Sequence, residues 1–358
     1  MKKLITVVFV SLILLNCNEP KSEIIAETKI SALANHETEA KIKELLAQMT
    51  LKEKLGQMLN VGIPSIMTGG YFDVRDSVVF NQEQYHKFIV EYGVGSIHNT
   101  PGLIPTKEAW FEIIKQIQDT AMTKTRLGIP ILYGIDNIHG ANYVNGSVMF
   151  PHQIGLAATW NTSLAEQCGA ITSYESRAAS MPWNYNPNVD VAINPLWGRI
   201  GESFGEDPKL ITEMGAAYQQ GSQQKGLHDP QSTAVCLKHY LGYGAGTNGK
   251  DRANAIIPER NIRQYFLPPF ERGIKDGAMS VMISSNAVNG IPCHINGYFI
   301  NEILKGELNF QGVVISDFSD VEFLIDAHQV AKDKREATKL AVNAGLDMIM
   351  NHYDVDIV

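Results

Sequence analysis

The chain has 358 residues, 44% hydrophobic and 19% charged, with a formal net charge of -8. That is an ordinary globular composition, enough for one large domain or two moderate ones. With mild acidity and no basic run after the first residues, nucleic acid is not an expected partner.

Lys2 and Lys3 precede an apolar run over residues 4–15. The run is short of the roughly 20 residues that span a bilayer. Its layout is that of a signal peptide over residues 1–17. It ends Leu14-Leu15-Asn16-Cys17, which resembles a bacterial lipobox with Cys17 as the lipidated residue, although Asn16 stands where Gly, Ala or Ser is preferred. The alternative is ordinary secretion with an incidental Cys. Either way the protein is expected to be exported, to the periplasm or as an outer-membrane lipoprotein held only by its lipid anchor. Residues 18–35 are polar without a strong period and read as a tether.

A folded domain is expected over 36–358. Ile42, Leu45, Leu46 and Met49 make one helical stripe. Thr50 and Glu53 have capping-box spacing, which starts a second helix. Short apolar runs then alternate with helical patterns. Strands are predicted at 94–99, 129–136, 234–239, 280–284, 312–317 and 346–350, and helices at 164–180, 210–226 and 332–344. This alternation predicts a parallel α/β architecture. Several strands end in polar or charged residues, which an eight-stranded (β/α)8 TIM-like barrel collects at one face. A doubly wound sheet would gather ligands only at its switch point, and neither a dinucleotide loop nor a phosphate loop is present, so no cofactor is expected. Cys168, Cys236 and Cys293 are an odd, widely spaced set in apolar surroundings, read as core thiols. No Cys or His spacing points to a metal.

Four stretches carry chemistry. In YGIDNIHGANYV, Asp136 follows a tight Gly and can accept two hydroxyls of one ligand, or simply cap a helix. PLWGRIGESFGEDP holds Arg199 among Glu202, Glu206 and Asp207, either an ion-pair cluster or a guanidinium forked onto neighbouring oxygens. CLKHYLGYGAGTNGKDR puts Lys238 and His239 at a strand end before a glycine-rich loop with Asp251. A buried Lys needs an acid or a ligand nearby. A Schiff-base lysine is a third reading. GVVISDF runs β-branched residues straight into Asp317, an acid where barrel enzymes keep their chemistry. Acids, amines and an imidazole on one barrel face offer the directional hydrogen bonds a sugar needs.

MTLKEKLGQM, GIDNIHGAN, GRIGESFGEDP, KHYLGYGAGTNGKDR, SVMISSNAVNGIPCH and GVVISDF, in this order, resemble glycoside hydrolase family 3, in its β-glucosidase and β-glucan exohydrolase branch. The resemblance covers nearly everything after about residue 38. It implies a barrel domain whose Asp317 is the nucleophile of a retaining mechanism. It implies that Asp136, Arg199, Lys238 and His239 bind the glycone, with Asp251 supporting the Lys-His pair. Phe318 replaces the usual Trp of a stacking platform for the next sugar. Ser285 stands where many members carry a Tyr near the nucleophile.

Members of this branch usually continue into a second α/β domain, which supplies the acid/base Glu, and often a β-sandwich domain. Neither is in this chain, so the barrel is expected to be incomplete at its C-terminal end, with an apolar edge open and the missing domains packing on it. The implied activity is exo-hydrolysis of terminal β-D-glucosyl residues from a β-glucoside or β-glucan oligosaccharide, with no cofactor. The alternatives are a β-xylosidase of the same family, a non-catalytic glycan-binding lipoprotein, and a barrel aldolase using Lys238.

Overall fold

The computed structural model describes residues 36–223 and 226–351. The expected signal segment with Cys17 and the tether lie outside the described residues.

Eight parallel strands form the centre: β1 (Leu59–Gly62), β2 (Ser96–His98), β3 (Leu132–Ile135), β4 (Trp183–Asn184), β5 (Ala234–Tyr240), β6 (Ser280–Ile283), β7 (Val313–Ile315) and β8 (Ile349–Asn351). Each pairs with the next from β1 to β7, and β8 returns to pair with β1. Between β7 and β8 the ring closes through the Ile315–Met348 bridge and the bonds Met348 N to Val314 O (3.1 Å) and Ser316 N to Met348 O (3.0 Å). The protein is therefore a (β/α)8 TIM-like barrel, nearly closed. The expected incompleteness at the C-terminal end is limited to this thin seam. The expected open apolar edge is not found at the last strand, because Ile349, Met350 and Asn351 are all buried. Residues 352–358 lie outside the described residues.

Six strands stand where sequence periodicity puts them. Two do not come from any sequence signal: β1 is only LNVG, directly behind a helix, and β4 is two residues long. The helices agree to within a few residues, as Thr162–Ala178, Pro208–Gln223 and Lys334–Asn343. Asn161 starts the first of these by accepting from the Ser163 and Leu164 amides. The capping box forms as expected, with Thr50 and Glu53 bonded reciprocally, and Arg126 forks onto Glu53. The stripe on helix His36–Gln48 is not core: Ile42 and Leu46 are exposed.

Strand alternation sorts side chains into two layers. Val235, Leu237, Val281, Ile283 and Val314 point outward into the helices and form the largest apolar cluster. Trp183, Tyr185, Cys236, Met282, Ile315 and Met350 fill the barrel interior. These bulky interior side chains fit because glycine faces them. A Cβ on Gly134 would lie 2.0 Å from the Tyr185 hydroxyl, which accepts from Asn60 Nδ2 at 2.7 Å. Among the described residues the cysteines Cys168, Cys236 and Cys293 are free and buried, and burial pushes the Cys236 and Cys293 thiols up to about 12, which keeps both protonated at neutral pH.

Gly134→Ala should displace Tyr185 and break its bond to Asn60, costing about 1–3 kcal/mol as overpacking does. Urea unfolding measures this; an unchanged midpoint would show that the interior has slack the packing does not reveal.

Candidate active site

The alternation that fills the barrel also aims the site. Gly134 and Asp136, Cys236 and Lys238, and Ile315 and Asp317 are pairs two residues apart, so each polar member continues an inward-facing row toward the carboxyl face of the barrel, Asp136 and Asp317 just past β3 and β7 and Lys238 within the last residues of β5. β5 ends irregularly: its register against β6 shifts between Leu237 and Tyr240, and the Lys238–His239 peptide is cis. Lys238 and His239 are both buried at the site.

Asp317 is the centre. Its Oδ2 accepts from Ser285 Oγ at 3.1 Å and lies 3.6 Å from His239 Nε2 and 4.0 Å from Arg199 Nη1. Its Oδ1 accepts from the Phe318 amide at 2.6 Å. Its own amide donates to His294 Nε2 at 3.3 Å. Burial works against charge here, but His239, Arg199, Lys238 and the Phe318 amide outweigh it and hold the carboxyl far below the usual carboxylate range. Burial pushes His294 down to about 3, so its neutral ring can accept on Nε2. The Ser285 hydroxyl thus reaches the carboxylate from the position where the resemblance expects a Tyr.

Each cation at the mouth has its own acid. Lys238, almost fully buried, pairs with Asp136, whose carboxyl is half exposed. Burial lowers the affinity of Lys238 for its proton, yet Asp136 and Glu202 more than restore it, so the amine stays charged. An amine held in its charged form by acids is a poor Schiff-base nucleophile, which counts against the aldolase reading. Arg199 forks onto Glu202 at 2.9 and 2.6 Å and sits over the Tyr243 ring at 5.3 Å. Asp190 takes both the His239 amide (3.2 Å) and Nδ1 (2.8 Å), leaving Nε2 to face Asp317 and Arg199 Nη2, the latter 3.3 Å away.

Asp136, Arg199, Lys238, His239 and Asp317 are thus brought together. Asp251 is placed elsewhere: it accepts from Trp197 Nε1 at 3.2 Å and pairs with Arg252, and it has no hydrogen bond to Lys238 or His239 among the described residues. It reaches the site indirectly, through Trp197, whose ring packs on Tyr243, which packs on His239. Phe318 packs near Tyr71 and His98, with ring centroids 5.9 Å away in each case. Asp207 caps a helix by accepting from the Leu210 amide, and His139 bonds the Phe150 carbonyl, so neither joins the cluster. Asp190, His294 and the role of Ser285 had no sequence signal, because each is defined by a partner tens of residues away.

Burial opposes the charge of Glu202, but Arg199 outweighs it and holds the carboxyl down to about 2. A depressed acid stabilises fully above its unfolded value of ~4.3 and loses that stabilisation as pH falls through 2. Glu202→Gln should therefore lower stability at neutral pH by roughly 3 kcal/mol at most, with the gap to the parent chain closing toward pH 2. Chemical denaturation across that range checks it; a gap independent of pH would mean that the ion pair is not the cause.

Residues 50–356 match the family model described as the glycosyl hydrolase family 3 N terminal domain. The chain is 38% identical over 328 residues to the "Lysosomal beta glucosidase" of Dictyostelium discoideum, covering 88% of this chain and 39% of that protein. Among solved structures, the β-glucosidase from Listeria innocua in complex with glucose superposes with a TM-score of 0.73 at 29% identity, covering 87% of this chain and 42% of that one. The exo-1,3/1,4-beta-glucanase from a Pseudoalteromonas species gives a TM-score of 0.77 at 29% identity, covering 90% and 39%. The chain spans about two fifths of the length of such relatives. With the barrel, the clustered mouth residues and these matches agreeing, this chain belongs to glycosyl hydrolase family 3 and carries its N-terminal domain.

Proposed function

We propose that this chain is the nucleophile-bearing barrel of a retaining, exo-acting β-glucosidase or β-glucan exohydrolase. The observation that carries the reading is Asp317: an ionised carboxylate at the barrel mouth, held by Ser285 and the Phe318 amide and flanked by His239 and Arg199. The Listeria relative was solved with glucose, which supports a glucosyl glycone.

In the first step an Asp317 oxygen attacks C1 of the terminal β-D-glucosyl residue. The C1–O bond to the aglycone breaks, and the leaving oxygen takes a proton from a second carboxyl. In the second step that carboxyl removes a proton from water, which attacks C1 and frees Asp317 with net retention. Asp136, Lys238, His239 and Arg199 hold the sugar hydroxyls, and Asp136 is the most accessible of the cluster's acids. Contacts that tighten as the ring gains oxocarbenium character lower the barrier. Phe318, beside Tyr71, offers an aromatic wall to the next sugar. Asp251 shapes the rim through Trp197 and Tyr243. Among the described residues the other carboxyls of the cluster are engaged: Asp136 with Lys238, Glu202 with Arg199 and Asp190 with His239. The resemblance implies that the acid/base carboxyl comes from the second domain that members of this family usually carry after the barrel. Export with lipidation at Cys17 belongs to the same reading.

A 2-fluoro β-glucoside with an activated leaving group needs no acid and isolates the first step. Intact mass should show a stable adduct mapping to Asp317, absent in Asp317→Asn. Faster labelling by the corresponding xyloside would reassign the glycone to xylose. Glucose binding without any adduct would favour a glycan-binding role. Asp136→Asn should weaken glucose binding about 10- to 100-fold, the range for a lost hydrogen bond to a charged group; calorimetry showing unchanged affinity would remove Asp136 from the glycone contacts.

A further inference from the structure

Three residues beyond Asp317, a second acid is buried behind it. The Asp320 side chain is 1% exposed, and among the described residues neither carboxyl oxygen has a partner within hydrogen-bond geometry. The chain turns back to place it there: Ser319 has a left-handed backbone, φ 60°, unusual for a residue with a side chain, and the Asp320 amide donates to the Asp317 carbonyl at 3.3 Å. The surrounding groups are few. Arg252 Nε lies 3.9 Å from Oδ1 and His294 Nε2 3.9 Å from Oδ2, both beyond hydrogen-bond reach. Arg252 is already paired with Asp251. Arg199 acts from farther off and is committed to Glu202. His328 faces His294, and both imidazoles are pushed toward the neutral form by burial. On the same helix Glu322 pairs with Lys334 of the next. Ser285, which donates to Asp317, also faces Asp320.

An ionised carboxylate without hydrogen bonds in such a place is strongly disfavoured, and a like charge beside it makes matters worse. Burial and Asp317 together raise the Asp320 carboxyl well above the usual carboxylate range. The cations of the mouth compensate Asp317 instead.

We propose that Asp320 is a positioning residue for Asp317: an uncharged carboxylic acid that leaves the pair's single negative charge on Asp317 and the Ser285 hydroxyl free to donate to it. An ionised Asp320 would compete for that hydroxyl and for Arg199, and would raise the proton affinity of the nucleophile. The proposal rests on the reading of Asp317 as nucleophile.

The test compares the parent chain with Asp320→Asn and Asp320→Ala. An acid whose folded pKa is raised destabilises progressively as pH rises above its unfolded value of ~3.9. Asp320→Asn should thus gain on the parent chain by about tenfold in unfolding equilibrium constant per pH unit from 4 toward neutrality. Parallel stability profiles would mean that Asp320 is charged in the folded state, and would overturn the proposal. Labelling by the 2-fluoro glucoside gives a second reading. Asp320→Ala should slow labelling about tenfold, and Asp320→Asn should recover most of the loss without moving the acid limb of its pH profile. An acid limb displaced to lower pH in Asp320→Asn would show that a negative charge had been removed, and would likewise overturn the proposal. Should Asp320→Ala fail to fold, the Asn variant alone decides. If the parent chain takes no label, the nucleophile reading and the positioning role fail together, while the stability comparison still decides whether the pair holds one charge.

Discussion

The mouth of this barrel is organised by the need to keep one carboxylate charged where burial opposes it. Asp317 sits at the end of an apolar strand, and isolated ions are strongly disfavoured there. His239 and Arg199 stand within 4.0 Å of it, and Ser285 and the Phe318 amide bond its two oxygens. Arg199 and Lys238 are cations that burial would disfavour if unpaired, and they have dedicated acids in Glu202 and Asp136, while Asp190 bonds the His239 ring at Nδ1. Every member of this network limits what the others can do.

The barrel makes that network possible by geometry alone. Parallel strands end at one face, and alternation makes every second residue point to the axis. Residues from β3, β5 and β7 meet there although they are separated by up to 181 positions in the chain, from Asp136 to Asp317. The interior below is packed with Trp183, Tyr185 and Met282, so the charges rest on a solid floor rather than over a water-filled channel. A pair of carboxyls at the end of β7 then needs only one charge, and the cations above assign it to Asp317.

Signals that act locally are legible in the chain. The 3.6-residue stripes mark helices close to those observed, the Thr50–Glu53 capping box forms, and six apolar runs become strands. Asn289-Gly290 is a local signal that the strand pattern alone does not reveal: both residues have positive φ, and they turn a small hairpin between Ala287–Val288 and Ile291–Pro292. Strands β1 and β4 carry no such signal, since two to four residues cannot display a period. They exist because neighbouring strands supply their hydrogen bonds. The stripe of Ile42 and Leu46 shows the converse, a periodic pattern that the barrel does not bury.

Consecutive residues are enough to specify the barrel class, the family and the five residues that meet at the mouth, because ordered motifs and strand-end chemistry are written locally. How those residues pair is a property of the folded chain. Asp190 orients His239 across 49 positions, Ser285 reaches Asp317 across 32, and Asp251 turns toward Trp197 rather than toward Lys238 and His239. Charge state follows from the same source. Asp317 and Asp320 are three residues apart and chemically identical, and what separates them is which one faces the cations and which one faces the core.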